Sequence, residues 1–281
     1  MKAEYDVIVV GGGPAGLQAA ATAAQRGHHV TLLERRPRTG GQVAVAASVP
    51  SRAEFLDVVR NLAAECQRNG VMIKTGVTVT AQWLLDQAPD AVVLATGARP
   101  QPPYWAGGLP RVVDVRDVLE GRSEPAGRVV VVDDLGFHQA TSVAELLADR
   151  GCEVEIITAG MVVGQDLGVT LDMETFNVRA QAKGIRQATD LVVMSAAEDG
   201  GSAGQDGRRS GIELSLLHHP TGQPAQRHCD WVVCAVHQAP EDELWQELQG
   251  APFEVHRVGD CVTPRRAHAA VIEGHRVAVA L

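Results

Sequence analysis

Lysine, aromatic side chains and cysteine are all scarce in this 281-residue chain. The lysines are Lys2, Lys74 and Lys183, aromatic residues make up 4% of the chain, and the formal net charge is -9. With no basic stripe and an excess of acid, a nucleic-acid or anionic-membrane surface is excluded, because either partner is repelled at long range. No apolar run approaches the roughly 18 residues that span a bilayer. The N-terminus enters its first expected strand without a charged and apolar leader, so the expected location is cytoplasmic. The five cysteines, Cys66, Cys152, Cys229, Cys234 and Cys261, form no C-x-x-C pair. That excludes a vicinal redox dithiol and a cysteine-ligated iron–sulfur cluster within the chain. Cys229 and Cys234 read as small buried hydrophobes on a strand.

What is present starts at residue 5. YDVIVVGGGPAGLQAAATAAQRGHHVTLLE reads as a strand, a glycine turn, a helix and a second strand closed by an acid. The apolar run Val7 to Val10 suits a strand buried on both faces of a parallel sheet. Gly11, Gly13 and Gly16 supply the G-x-G-x-x-G spacing: a tight turn, a close approach for a pyrophosphate, and close packing of helix on strand. Pro14 opens the helix, whose free N–H groups and positive dipole end would receive the phosphates. Glu34, 18 residues after Gly16, stands where a carboxylate takes the hydroxyls of an adenosine ribose and disfavours a 2′-phosphate.

Farther along, RRPRTGGQVAVAASVPSRAEF is a loop with paired Gly40 and Gly41, leading into a helix expected from about Arg52 to Asn69 and ended by Gly70. VMIKTGVTVT reads as two short strands, and Asp90 to Ala95 as a buried strand. Ala95-Thr96-Gly97-Ala98-Arg99-Pro100 forms a second strand-end turn facing the same nucleotide. Residues 101–127 suit a crossover between domains. A second strand, helix and strand follow at 128–132, 141–150 and 153–158, repeating the opening unit. Then come a helix at 170–183, strands near 190–195 and 212–218 flanking a glycine-rich hairpin tip, a buried strand at 231–236 and a short helix in EDELWQELQ. VHRVGDC is a strand ending at Gly259 and Asp260, before a terminal helix starting near Arg265 or Arg266. The expected fold is therefore α/β, with two Rossmann-like dinucleotide-binding domains. Residues 1–122 and 250–281 form the first, and 123–249 the second, inserted into it.

GGGPAG at 11–16, GGQ at 40–42, ATGARP at 95–100 and VGDC at 258–261 occur in the order used by flavoproteins with two dinucleotide-binding domains. Segments such as TSVAELLADRGCEVEIIT and GDCVTPRRAHAAVIEGHRVA resemble the C-terminal half of the trimethylamine dehydrogenase and 2,4-dienoyl-CoA reductase family, over essentially the whole chain. The resemblance implies that Glu34 holds the adenosine ribose and that Gly41 and Gln42 flank the ribityl and diphosphate region of FAD. It places Asp260 on a ribityl hydroxyl or, through water, on the pyrophosphate, with Gly259 leaving room. The terminal helix, begun by Arg266, aims its positive end at the flavin pyrimidine edge. Ala15, Arg35 and Val79 complete the candidate contact set.

Two departures shape the functional expectation. Members of this family carry an N-terminal barrel with FMN and a 4Fe-4S cluster that performs the substrate chemistry, which this sequence does not contain. In the inserted domain, VVVVDDLGFHQATS at 129–142 replaces the NADPH glycine fingerprint, and Asp133 and Asp134 put negative charge where a pyrophosphate should sit. An NAD(P)H site there is disfavoured. The expected protein is an FAD-binding oxidoreductase subunit exchanging electrons with a separate FMN/4Fe-4S barrel partner that acts on amines, N-methyl compounds or enoyl and enone substrates. Alternatives are a docking module holding ADP or FAD structurally, and a stand-alone NADH-dependent flavin reductase. Homo- or hetero-oligomers fit either way. His268 and His275 share a helix face, and His218 and His219 sit at a strand end. All four read as packing or surface residues with no metal role.

Overall fold

The computed structural model describes residues 4–199 and 211–281. The glycine-rich tip expected between the strands near 195 and 212 falls outside the described residues over 200–210. Two compact units emerge. One comprises residues 1–99 and 238–281, and the other residues 100–237.

The first unit is built on a five-stranded parallel sheet in the order Glu254–Arg257, Ala91–Leu94, Asp6–Val10, His29–Glu34, Met72–Thr75. Val7, Val9, Val92 and Val93 at its centre are almost fully buried, as a parallel sheet covered on both faces requires. Against one face lies the alanine-rich helix Pro14–Gln25, and against it in turn the terminal helix Ala267–Ala280. Ala270, Gly274 and Ala278 recur every fourth residue and are buried on one stripe of that terminal helix. The approach at Gly274 leaves no space, since a Cβ there would stand 2.3 Å from the carbonyl oxygen of Ala15. His275 joins the same contact through Nδ1, 3.3 Å from Thr22 Oγ1.

The second unit has its own parallel sheet, ordered Val112–Asp114, Trp231–Ala235, Arg128–Asp133, Glu153–Ile157, Arg186–Ala188. A three-stranded antiparallel sheet, Leu191–Glu198, Ile212–His218 and Gln223–Cys229, shares an apolar core with it around Ile157, Leu214 and Val232. Helix His138–Asp149 follows the Arg128–Asp133 strand as Pro14–Gln25 follows Asp6–Val10. Both units are thus Rossmann-like, with the second inserted into the first.

The structure corrects several boundaries. The units divide at 99/100 and 237/238, and not at 122/123 and 249/250. Val112–Asp114 pairs with Val232–Cys234 and Trp105 is buried in the second core, so residues 100–122 belong to that unit. Leu244, Trp245 and Leu248 pack on the sheet of the first unit, which claims the short helix Glu243–Glu247. Only Met72–Thr75 of VMIKTGVTVT is a strand: Gly76 turns away at φ +72°, and Val77 donates to the Glu34 carbonyl at 2.9 Å outside any ladder. A six-residue helix, Gly41–Ala46, lies in the stretch expected to be loop.

Candidate nucleotide-binding site

The site of the first unit lies at the carboxyl ends of its strands, where open α/β sheets place ligands. Gly11 takes φ +112°, and a Cβ there would stand 2.2 Å from the Ala95 carbonyl oxygen. Only glycine fits a turn this close to its neighbouring strand. Gly16 is as constrained, with a Cβ falling 1.9 Å from the Gly11 carbonyl oxygen. Gly13 differs. Its φ is −76° and a Cβ would meet nothing nearer than the Gly41 Cα at 3.9 Å, so its bareness serves no packing within the chain. No group of the described residues accepts from the N–H of Gly13, Ala15 or Gly16, the donors that a helix start leaves unused.

Glu34 ends the second strand with 6% exposure. Its Oε2 accepts the Gly12 N–H at 2.6 Å and its Oε1 the Arg36 N–H at 2.7 Å. The carboxylate therefore braces the glycine turn and keeps a second lone pair on each oxygen for a ligand hydroxyl. Arg35 beside it is exposed. Gly40 donates to the Gly12 carbonyl at 2.8 Å, and Gly41, at φ +53°, brings its own Cβ position to 3.1 Å from the Gly13 Cα. The GGQ turn and the GGGPAG turn thus face each other through bare backbone.

At the far end, Gln42 Nε2 donates to Asp260 Oδ2 at 3.3 Å and to Gln238 Oε1 at 3.0 Å. Asp260 Oδ1 accepts the main-chain N–H of Arg265 at 3.0 Å. Gly259, at φ +72°, donates to Glu273 Oε2 at 2.8 Å and fits where a Cβ would stand 2.8 Å from the Ala15 methyl. The Ala95–Thr96–Gly97 turn arrives beside the first strand through Ala95 N–H to Val10 O at 2.8 Å, and the Thr96 hydroxyl donates to the Glu241 carbonyl. Arg266 caps the terminal helix in extended backbone, while the Arg265 guanidinium is held by Glu273 and the Thr263 carbonyl. Val79 stands apart from this group, packed on the apolar cluster with Leu33 and Leu84. Sequence reasoning missed Gln238, because it assigned that residue to the inserted domain.

The second unit repeats the turn with different contents. In strand register Asp133 follows Val132 as Gly11 follows Val10, and Thr158 stands where Glu34 does. Asp133 is 1% exposed. Its Oδ1 accepts the Gly136 N–H at 2.8 Å and its Oδ2 the Gly164 N–H at 3.1 Å. Burial raises this carboxyl above its ordinary value, against the lowering effect of those N–H groups. The Gly136 N–H of the turn is thus taken by an internal carboxylate, as the Gly12 N–H is taken by Glu34 in the first unit. Thr158 donates to the Asp133 carbonyl at 2.8 Å and offers no acid to a ribose. Exposed Asp134, its carboxyl raised by desolvation and lowered by His237, lines a cleft of about 400 Å³ with Gly136, Gln165 and Asp166.

The cysteines stay out of both sites. All five are free, and burial pushes the thiols of Cys66 and Cys229 up to about 11 and about 12, so they are not thiolate nucleophiles near neutral pH. Among the described residues no group of three or more His, Cys, Asp or Glu side chains could hold a metal ion, and no helix is long and apolar enough to cross a membrane.

An open dinucleotide cradle in one Rossmann-like unit and a second such unit inserted into it define a two-dinucleotide-domain oxidoreductase. The profile of the pyridine nucleotide-disulphide oxidoreductases matches residues 5–274, and the chain belongs to this family, whose members bind FAD and NAD(P). It is 30% identical to N,N-dimethylglycine/sarcosine dehydrogenase of Chromohalobacter salexigens, over 96% of this chain and 43% of that protein. It is 32% identical to NADH oxidase of Thermoanaerobacter brockii, over 97% of this chain and 40% of that protein. The solved structure of 2-naphthoyl-CoA reductase superposes on 100% of the chain and 40% of its own length, with a TM-score of 0.86 and 26% identity. The chain thus spans about two-fifths of the length of these relatives. It is a flavin oxidoreductase domain related to amine dehydrogenases and enoyl reductases.

Proposed function

We propose that the first unit holds FAD noncovalently and that the chain is the electron-transfer part of a larger enzyme. The observation that carries this reading is the contrast between the two turns: one of bare glycine backbone with an acid at the second strand end, the other with the Asp133 side chain in the place of Gly11 and Thr158 in the place of Glu34. In this reading Gly11, Gly13, Pro14, Ala15 and Gly16 frame the pyrophosphate seat, Glu34 takes the ribose hydroxyls, and Gly41, Gln42, Thr96, Gly97 and Asp260 surround the ribityl and flavin end. Bound FAD supplies the redox chemistry, and these residues supply position and field. The purified chain should be yellow and release FAD on denaturation. Release of ADP alone would instead leave a structural nucleotide and a docking role.

The partner in this reading is an FMN/4Fe-4S barrel, as a separate subunit or a neighbouring domain, that turns over an amine, an N-methyl compound or an enoyl or enone substrate. The relatives are more than twice as long as their matched parts, which supports this reading. Met161, Val169 and Leu171 also stand 75%, 75% and 88% exposed on one stretch of the second unit, the kind of apolar surface that partners cover. Affinity purification from the native host with mass spectrometry should recover the barrel. Recovery of this chain alone, fully active on a small substrate, refutes the partnership.

A further inference from the structure

Moving the domain boundary to 237/238 brings Gln238 into the first unit, where its side chain meets the cradle. The hydrogen bonds there have a fixed polarity. A carboxylate only accepts, so the end of the Gln42 amide that faces Asp260 Oδ2 is its nitrogen. That same nitrogen lies 3.0 Å from Gln238, which must therefore present its carbonyl oxygen. With both hydrogens of Gln42 Nε2 engaged, Gln42 Oε1 is left as an acceptor and Gln238 Nε2 as a donor. Among the described residues no other group bonds either atom, and neither is a buried orphan, so both open onto space that water or a ligand fills. The backbone that carries Gln238 is pinned to the Thr96–Gly97 turn, since Glu241 N–H donates to the Gly97 carbonyl at 2.9 Å and its carbonyl accepts from Thr96 Oγ1.

We propose that Gln238 is a positioning residue for the flavin end of the cradle: it locks the Gln42 amide in one orientation and sets a fixed donor beside a fixed acceptor for the edge of the bound cofactor. The inference rests on the FAD reading of this unit. It gives Gln238 no part in seating the adenosine or the pyrophosphate, which lie against Glu34 and the glycine turn. The two halves of the cofactor therefore respond differently to its loss.

The test is titration of the cofactor-free chain with FAD and, separately, with ADP, for the wild type, Gln238→Leu and Gln238→Glu. ADP affinity should be equal in all three within twofold. FAD affinity should fall about tenfold in Gln238→Leu, with a shift in the visible band of the bound flavin, because the Gln42 amide is released. Gln238→Glu keeps the acceptor for Gln42 and should recover part of that affinity. Unchanged FAD affinity and spectrum in Gln238→Leu overturn the inference, and so does a parallel loss of ADP affinity, which marks a general structural role. A wild-type chain that binds ADP and no FAD overturns the FAD reading itself, and the role of Gln238 with it.

Discussion

In the first unit the strand Asp6–Val10 ends in Gly11, whose backbone presses on Ala95, and the N–H groups of Gly13, Ala15 and Gly16 have no acceptor among the described residues. In the second, Arg128–Asp133 ends in a side chain that folds back and accepts the Gly136 and Gly164 N–H groups. Both units keep the strand, turn, helix and strand, so the scaffold alone does not make a dinucleotide site. The second turn carries a carboxylate within itself where the first has the bare backbone of Gly11. Thr158 in the place of Glu34 removes the ribose acid at the same time, and the two changes reinforce each other.

The largest effect that would break this comparison is at Gly11 or Gly16. Alanine at either should cost about 3 kcal/mol or more, because its Cβ falls inside backbone contact distance. Urea denaturation reads this directly, and a midpoint equal to wild type would show that the turn relaxes freely. Gly13→Val comes next and acts on binding. A Cβ there meets only the Gly41 Cα, at an ordinary contact distance of 3.9 Å, so melting should fall far less than at Gly11 or Gly16 while FAD affinity falls at least a hundredfold, or about 2.8 kcal/mol. A retained flavin spectrum in that variant would place the pyrophosphate elsewhere.

Asp133→Gly probes the other side of the comparison. Wild-type protein should bind NADH weakly and be reduced by it slowly in stopped-flow mixing, while the variant, its donors released, should bind about tenfold more tightly, or about 1.4 kcal/mol. Equal weak binding in both would assign the block to exposed Asp134 and half-buried Asp166 in the cleft.

The smallest effect concerns His28, at the opposite end of the first sheet. Burial holds its imidazole below the ordinary 6.5, with Arg26 reinforcing and Glu4 opposing the shift, and its Nδ1 faces the Tyr5 N–H at 3.2 Å. The native state thus binds fewer protons than the unfolded chain, so this residue's contribution is complete above 6.5 and is lost as pH falls through the native value. Melting between pH 7.5 and 5.5 should fall by on the order of 2 °C more in wild type than in His28→Leu. Parallel pH profiles would remove His28 from the account.

The glycine turn, its helix and Glu34 were legible because each demand is local: a spacing, a strand end, a missing Cβ. Asp133 was legible as a charge but not as an acceptor, since nothing in VVVVDDLG says that Gly164, 31 residues on, will send its N–H to that carboxylate. Gln238 was hidden by the domain boundary. Val112–Asp114 has three residues and no alternation, so it read as crossover, and the error carried the far boundary with it. The strand Gln223–Cys229 was missed for a related reason: its polar, mostly exposed face and Pro224 give no apolar period. Val77 and Val79 have the alternation of a strand but no partner to pair with.

The contact of Gly274 with Ala15 also sets a schedule. The glycine turn at 11–16 is made more than 240 residues before Asp260 and the helix that braces Ala15. A nascent chain can form the first four strands of this sheet before the fifth strand and the terminal helix exist. Until that last helix is made, the face of helix Pro14–Gln25 that it covers stays open, a surface for chaperones to shield.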